Sequence, residues 1–270
     1  MSIINNLQEN KLNISKIKKT KGQKKLTMIT AYDALFAKIF DKNIDMILVG
    51  DSLNQSFAGE NDTLNASLEQ MIYHTKAVCN GAKNTFIICD LPFGTYNTKE
   101  QALESCIKIY KETKADAVKL EGGAFKADII EYLVKNGIAV VGHIGLMPQS
   151  VRGEGGYKVR GKDELDIKQL HKDAKAVEDA GVFCLVVEGV KSEVAKQITQ
   201  NVKIPTIGIG AGRDTDGQVL VWSDMLGFFE DFKPKFVRHY FSGANEVKKA
   251  LQSYVKDVQS QNFPSKDEQY

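Results

Sequence analysis

The chain has 270 residues, of which 43% are hydrophobic and 26% are charged, the balance of a globular protein with a large apolar core. Its net charge is only +2, which gives no electrostatic reason to expect binding to nucleic acid or to an anionic membrane. No apolar run approaches the roughly 18 residues of a membrane span, and the first 25 residues contain no hydrophobic signal core, so a cytoplasmic location is expected.

Short strand-like runs alternate along the chain with longer segments of helical periodicity. Residues 1–25 are polar and lysine-rich, which predicts a leading helix and arm. Strands are predicted at Leu26–Thr30, Asp45–Gly50, Thr85–Asp90, Ala117–Leu120, Ile138–Gly142, Phe183–Val187 and Thr206–Ile209, with a weak eighth at Lys235–Val237. Helices are predicted at Thr98–Lys114, Lys126–Lys135, Lys168–Ala180 and Ser192–Asn201, and an amphipathic helix at 244–260.

This alternation of strand and helix predicts an α/β fold with a parallel sheet. Eight units in a chain of this length favour a single (β/α)₈ TIM barrel over an open doubly wound sheet. A Rossmann-like sheet is the main rival, but Thr30–Asp33 stands where a GxGxxG motif would follow the first strand. The expected organisation is an N-terminal arm at 1–25, a catalytic barrel at 26–243, and a C-terminal helix with a polar tail at 244–270.

Residues 144–163 form a long segment after the fifth predicted strand, with glycines at positions 145, 153, 155, 156 and 161. Loops of this length on a compact domain are uncommon and are often functional. We therefore expect a lid that closes over an active site.

The apolar residues of four predicted strands are followed by an acidic residue: Asp51, Asp90, Glu121 and Glu188. On a barrel these side chains would meet at the rim where active sites are built. Each acid alone is also explained as a helix N-cap. Converging carboxylates repel one another unless a cation neutralises them, and oxygen ligands without cysteine or clustered histidine are typical of Mg²⁺.

Two further side chains are candidates for the same site. Lys119 lies two residues before Glu121, so both face the same side of their strand. Lys119 is expected either to bind a substrate carboxylate or to form an internal salt bridge. His143 follows the fifth predicted strand and is the histidine best placed for the site. The glycines of Gly208–Gly212 would suit either anion binding or a tight turn.

A series of motifs resembles the ketopantoate hydroxymethyltransferase family. They run in the family's order from about residue 26 to residue 240. The motifs are Met28–Asp33 (MITAYD), Leu48–Leu53 (LVGDSL), Tyr73–His74 within MIYHT, Asp90–Phe93 (DLPF), Val118–Gly123 (VKLEGG), Val141–Ser150 (VGHIGLMPQS), Gly155–Val159 (GGYKV) and Pro205–Gly217 (PTIGIGAGRDTDG).

The resemblance implies an activity. Enzymes of this family transfer a hydroxymethyl group from 5,10-methylenetetrahydrofolate to 3-methyl-2-oxobutanoate through a Mg²⁺-stabilised enolate. The product is ketopantoate (2-dehydropantoate), in pantothenate biosynthesis. The resemblance also implies a (β/α)₈ barrel, a requirement for Mg²⁺ and a homo-oligomer, usually a decamer.

Residue roles carry over by motif. Asp51 and Asp90 would bind Mg²⁺ and contact the substrate, and Glu121 would support the metal as a ligand or through its neighbours. Ser52 and Lys119 would bind the keto acid, and Glu188 would be the catalytic base. His143 matches the motif VGHIG, and its expected role is to support the site.

Two alternatives stay open at this point. A barrel lyase or mutase of the isocitrate lyase type would use the same metal chemistry on a 2-oxo acid without folate; the intact GGYKV motif favours transfer. A non-catalytic binding or assembly protein would be expected to have lost a metal-site or base residue, and none is missing.

Overall fold

Eight parallel strands are hydrogen-bonded in chain order and close into a barrel, in a computed structural model that describes residues 11–230 and 233–270. The strands are β1 (Leu26–Thr30), β2 (Met46–Val49), β3 (Phe86–Asp90), β4 (Ala117–Glu121), β5 (Val140–Gly145), β6 (Cys184–Glu188), β7 (Thr206–Ile209) and β8 (Gly217–Leu220). The helices are α1 (Ile14–Lys19), α2 (Ala34–Phe40), α3 (Leu53–Ser56), α4 (Leu68–Gly81), α5 (Lys99–Glu112), α6 (Ala127–Lys135), α7 (Glu164–Asp179), α8 (Ser192–Asn201), α9 (Trp222–Met225) and α10 (Gly243–Gln259). The predicted TIM-like barrel is confirmed.

The predicted eighth strand at Lys235–Val237 is wrong. These residues lie in a turn and its flank, and β8 is Gly217–Leu220 instead. This strand has only four residues and begins with glycine, so it carries little of the apolar pattern that identifies a strand in sequence. Its place is fixed by pairing with β7 on one side and β1 on the other.

Strand β5 also differs from its prediction, Ile138–Gly142, because it extends to Gly145. His143 therefore lies within the strand, not after it. Glycines at 142 and 145 weaken the strand pattern in the sequence, yet Gly142 packs closely: an added Cβ would lie 3.2 Å from Cδ1 of Leu185 on β6. The neighbouring strand accounts for the glycine.

Apolar side chains fill the amino-terminal part of the barrel. One buried cluster contains Ile17, Leu26, Met28, Met46, Leu48, Phe86, Ile88, Ala117, Val141, Phe183, Cys184, Val186, Ile207 and Val219. Ile17 belongs to α1, so the predicted leading helix closes this end of the barrel. Nearby, Nζ of Lys21 lies 2.8 Å from Oδ2 of the buried Asp216. The opposite end of the barrel is left for a functional site.

The chain divides into two compact units, one ending at Leu220 and one spanning Val221–Tyr270. Helix α10 belongs to the second unit and matches the helix predicted at 244–260. Residues 1–10 of the predicted arm lie outside the described residues, and the domain boundaries at 25 and 243 stay predictions. In the part of the chain that the structure describes, no helix is both long and apolar enough to cross a membrane.

Candidate active site

The acidic side chains predicted from strand ends meet at the carboxyl-terminal rim of the barrel. Asp90, Glu121 and Glu188 are the last residues of β3, β4 and β6, and Asp51 follows β2 by two positions. Strand pairing places Asp90 beside Lys119 and Glu121 beside His143. The closed barrel thus brings residues that are far apart in sequence into one cluster.

The geometry contradicts the alternative that these acids are helix caps. The N-cap positions of α3, α5, α6 and α8 are occupied by other residues: Ser52, Thr98, Lys126 and Lys191. The carboxylates instead face one another and the polar groups between them.

Asp51 and Asp90 form a buried carboxylate pair. The backbone N–H of Asp51 donates to Oδ2 of Asp90 at 3.1 Å. Burial, and then the charge of Asp90, raises the pKa of Asp51 to about 7. Burial also raises the pKa of Asp90, against the opposing effect of the Lys119 ammonium. Burial and the charge of Asp51 raise the pKa of Glu121 well above its ordinary value. The cluster therefore contains more acidic groups than Lys119 alone can neutralise, and these shifts favour their protonated forms unless a further cation binds.

Lys119 is the cation of this cluster and is 5% exposed. Its Nζ lies 3.2 Å from Oδ1 of Asp90 and 3.1 Å from Nδ1 of His143. Burial by itself lowers the pKa of Lys119, but Asp90, Glu121 and Asp51 together raise it above its ordinary value. An ammonium has three hydrogens to donate, so these two contacts leave one for a ligand.

His143 lies between Lys119 and Glu188. Because an ammonium only donates hydrogen bonds, Nδ1 of His143 accepts from Lys119, and its hydrogen is on Nε2. This Nε2 lies 3.2 Å from Oε2 of Glu188, although among the described residues it has no well-aligned hydrogen-bond partner. Burial, and then the charge of Lys119, lowers the pKa of His143, so the imidazole is neutral near neutral pH.

Ser52 stands beside the carboxylate pair, and its Oγ lies 2.9 Å from the hydroxyl of the buried Tyr32. Gly50 leaves the space that Ser52 occupies beside Asp90. A Cβ at Gly50 would lie 2.8 Å from Oγ of Ser52 and 3.5 Å from Oδ2 of Asp90. Any larger residue at position 50 would displace the serine from the site.

The site fits Mg²⁺, which protein sites usually bind through only one or two carboxylates together with waters and substrate oxygens. No group of three or more histidine, cysteine or acidic residues is preformed for metal binding within residues 11–230 and 233–270. The pair Asp51 and Asp90 meets the sparser requirement. Oδ1 of Asp90 is fully buried and, among the described residues, has no hydrogen bond of good geometry, although Lys119 is near. A divalent cation would satisfy this oxygen and relieve the repulsion between the two carboxylates.

The structure adds two residues to the site, Gln149 and Tyr96, which no pattern in the sequence indicated. Gln149 is buried after β5 and contacts Asp51 and Glu121, and the hydroxyl of Tyr96 donates to Gln149. Gln149 lies within the motif VGHIGLMPQS, but no spacing rule assigns it to the rim.

The loop predicted at 144–163 begins after Gly145, because its first two residues belong to β5. It reaches the segment that follows β2. Nε2 of Gln55 donates to Oη of Tyr157 at 3.2 Å, and Arg152 pairs with Asp62 at 2.9 Å. The predicted lid therefore extends across the rim. Its closure on a ligand stays a prediction.

The turn after β7 requires glycine at two positions. Gly210 and Gly212 have φ angles of 60° and 80°, in the left-handed region that favours glycine. Backbone conformation thus accounts for both residues, and anion binding at Gly208–Gly212 stays a prediction.

Fold and site together define a (β/α)₈-barrel enzyme whose buried carboxylates and lysine converge at the carboxyl-terminal rim. A sequence profile described as ketopantoate hydroxymethyltransferase matches residues 11–266. The chain belongs to this family.

Bacterial relatives named 3-methyl-2-oxobutanoate hydroxymethyltransferase match all or nearly all of the chain. The protein of Aliarcobacter butzleri (strain RM4018) is 68% identical over 270 residues and is covered completely, as is this chain. That of Sulfurimonas denitrificans is 62% identical, with 94% of this chain and 97% of the relative covered. That of Helicobacter pylori (strain ATCC 700392 / 26695) is 56% identical, with 96% of each covered.

Solved structures similar to this chain share its fold at low sequence identity. Phosphoenolpyruvate phosphomutase from Streptomyces platensis subsp. rosaceus aligns with a TM-score of 0.63 and 11% identity, over 92% of this chain and 88% of that one. A 2,3-dimethylmalate lyase of the PEP mutase/isocitrate lyase superfamily aligns with a TM-score of 0.59 and 14% identity, over 93% and 89%. At such identities the likeness shows the barrel fold alone, so it does not favour the lyase or mutase alternative.

Proposed function

We propose that the carboxylate cluster at the barrel rim is the site where this chain transfers a hydroxymethyl group to 3-methyl-2-oxobutanoate. The activity itself follows from the family: the chain is a hydroxymethyltransferase of pantothenate biosynthesis. The one-carbon donor is 5,10-methylenetetrahydrofolate. The observation that carries the placement of the site is the convergence of Asp51, Asp90, Lys119 and Glu188 at one rim.

Binding of the keto acid is assigned to Lys119 and Ser52. The ammonium of Lys119 has a hydrogen left for the substrate carboxylate, and Oγ of Ser52 lies beside the carboxylate pair. Asp51 and Asp90 would hold Mg²⁺, with Glu121 in support. When bound, Mg²⁺ supplies Lewis acidity to the 2-oxo acid.

Removal of the proton on C3 of the substrate is assigned to Glu188. Its carboxylate accepts this proton, and the electron pair left on C3 forms the new carbon–carbon bond to the methylene carbon of the folate. In the overall reaction both C–N bonds of the methylene carbon break and water supplies the hydroxyl group. The proton taken from C3 and the remaining hydrogen of water go to the two folate nitrogens, so that tetrahydrofolate leaves. Strand order supports the role, because β6 is four strands from β2 in a ring of eight, so Glu188 faces Asp51 from the opposite side.

The direct test is formation of ketopantoate from both substrates by the purified protein. We expect product that requires 5,10-methylenetetrahydrofolate and Mg²⁺, and that disappears with a chelator. Carbon–carbon bond cleavage of a 2-oxo acid without folate would contradict the proposal and support a lyase.

Three finer parts complete the proposal; the first two rest on the family resemblance, and the third rests on the four free cysteines. They are the use of Mg²⁺, assembly as a homodecamer, and a cytoplasmic location. The donor chemistry of Asp51 and Asp90 supports the first of them, as argued above.

Replacing Lys119 with alanine is expected to raise KM for the keto acid by about 10- to 100-fold, because a hydrogen bond to a charged group contributes about 1.5–3 kcal/mol. Lys119→Arg is expected not to restore binding, since the planar guanidinium does not fit a buried site made for a compact ammonium. Steady-state kinetics and keto acid binding by calorimetry measure both variants. Unchanged affinity in Lys119→Ala would make the lysine a structural ion pair with Asp90.

A further inference from the structure

We propose that Gln149 is a positioning residue that fixes Asp51 and Glu121 in the orientation needed to bind the metal ion. The inference rests on the proposed function and adds a residue to it. Gln149 is 6% exposed and lies in a short 3-10 turn, Pro148–Ser150, where the loop at 144–163 leaves the barrel.

Gln149 contacts the ends of three strands other than its own. Its Nε2 donates to Oδ2 of Asp51 at 2.7 Å and to the carbonyl oxygen of Leu91 at 3.0 Å. Its backbone N–H donates to Oε2 of Glu121 at 3.0 Å. One residue therefore links the segments that follow β2 and β3 with the last residue of β4.

The neighbours of Gln149 fix the orientation of its side-chain amide. The carbonyl of Leu91 and the carboxylate of Asp51 only accept hydrogen bonds, so the NH₂ group faces them. The hydroxyl of Tyr96 donates to Oε1 on the other side. Burial, and then the charge of Glu121, raises the pKa of Tyr96, so this hydroxyl keeps its hydrogen.

The amide holds Asp51 against repulsion from two neighbouring acids. The charges of Asp90 and Glu121 act on Asp51 in a buried environment. The hydrogen bond from Nε2 of Gln149 fixes Oδ2 of Asp51 in place. Side chains that orient metal ligands in this way typically change metal affinity or activity by about 10- to 100-fold when they are replaced.

The test measures metal binding without turnover, with Mn²⁺ as a spectroscopic probe for the Mg²⁺ site. We expect Gln149→Met, which keeps size but removes both donors, to weaken Mn²⁺ binding by about 10- to 100-fold in electron paramagnetic resonance titrations. Tyr96→Phe removes only the hydroxyl that orients the amide, and a smaller loss is expected. The double variant should bind no more weakly than Gln149→Met, because both changes act through one amide.

Gln169→Met is the matched control. Gln169 is exposed on α7, and its Nε2 donates at 2.8 Å to Asp173, which is not one of the carboxylates assigned to the metal. Its Mn²⁺ affinity should equal that of the unaltered protein. Equal affinity in Gln149→Met would overturn the inference but would leave the proposed function standing. If that variant does not fold, the Mn²⁺ affinity of Tyr96→Phe decides in the same way. Absence of Mn²⁺ binding in the unaltered protein would overturn the metal assignment and this inference together.

Discussion

Replacing Asp90 with alanine is expected to abolish Mg²⁺-dependent product formation, with a loss of about 100-fold or more, because a bound metal contributes several kcal/mol to the transition state. Asp90 contributes a fully buried oxygen to the cluster, and its other oxygen accepts the backbone N–H of Asp51. Removing it takes away one of only two carboxylates assigned to the metal. Asp51→Ala should have the same effect. Product formation over a range of Mg²⁺ concentrations, together with Mn²⁺ binding, measures both losses.

The fold should survive this change, because burial of the Asp90 carboxylate is unfavourable in itself and Lys119 keeps the charges of Glu121 and Asp51 nearby. Asp216→Asn is the matched control: Asp216 is also buried, but it accepts from Gly22 and Thr206 near the amino-terminal end of the barrel. That variant should unfold at a lower temperature and keep its Mn²⁺ affinity. Full activity in Asp90→Ala would remove the metal assignment.

Replacing Glu188 with glutamine is expected to slow exchange of the substrate's C3 hydrogen with deuterated water by about 10²- to 10⁴-fold, the usual contribution of a general base. Glutamine keeps the shape of the side chain but cannot accept the proton. The measurement is made by nuclear magnetic resonance on 3-methyl-2-oxobutanoate without folate, so it reports proton removal alone. Binding of Mn²⁺ and of the keto acid should be retained.

Glu193→Gln is the control for charge. Glu193 lies in the first turn of α8, exposed and five residues beyond Glu188, and exchange in this variant should be normal. If Glu188→Gln exchanged the hydrogen at the unaltered rate, Glu188 would not be the base. The next candidate would be His143 in its other tautomer, because the hydrogen that the contact with Lys119 places on Nε2 prevents this atom from accepting a proton.

Much of the rim could be predicted from the sequence because a parallel barrel follows a simple rule. Successive strands end at the same face, so acids that follow apolar strands must meet there. Asp51, Asp90, Glu121 and Glu188 were found in this way, and motif resemblance added Ser52. The two-residue spacing of Lys119 and Glu121 placed both on one side of β4, and in the structure both side chains approach Nδ1 of His143.

Prediction from the sequence failed where the role of a residue depends on its contacts in the fold and not on the local pattern of apolar and polar residues. Strand β8 begins with glycine and has four residues, and only its neighbours β7 and β1 identify it. Gln149 is one polar residue in a loop, and its four hydrogen bonds join it to segments up to 98 positions away.

The sequence alone determined the class of fold and the set of charged residues at the rim, because periodicity and the order of strands are local properties of the chain. The tertiary structure decided how those charges are paired. Lys119 contacts Asp90 and His143, not the neighbouring Glu121 of its own strand, because adjacent strands bring their side chains closer than positions two apart. Burial then shifts the pKa values of the cluster, and burial is a property that only the folded barrel creates.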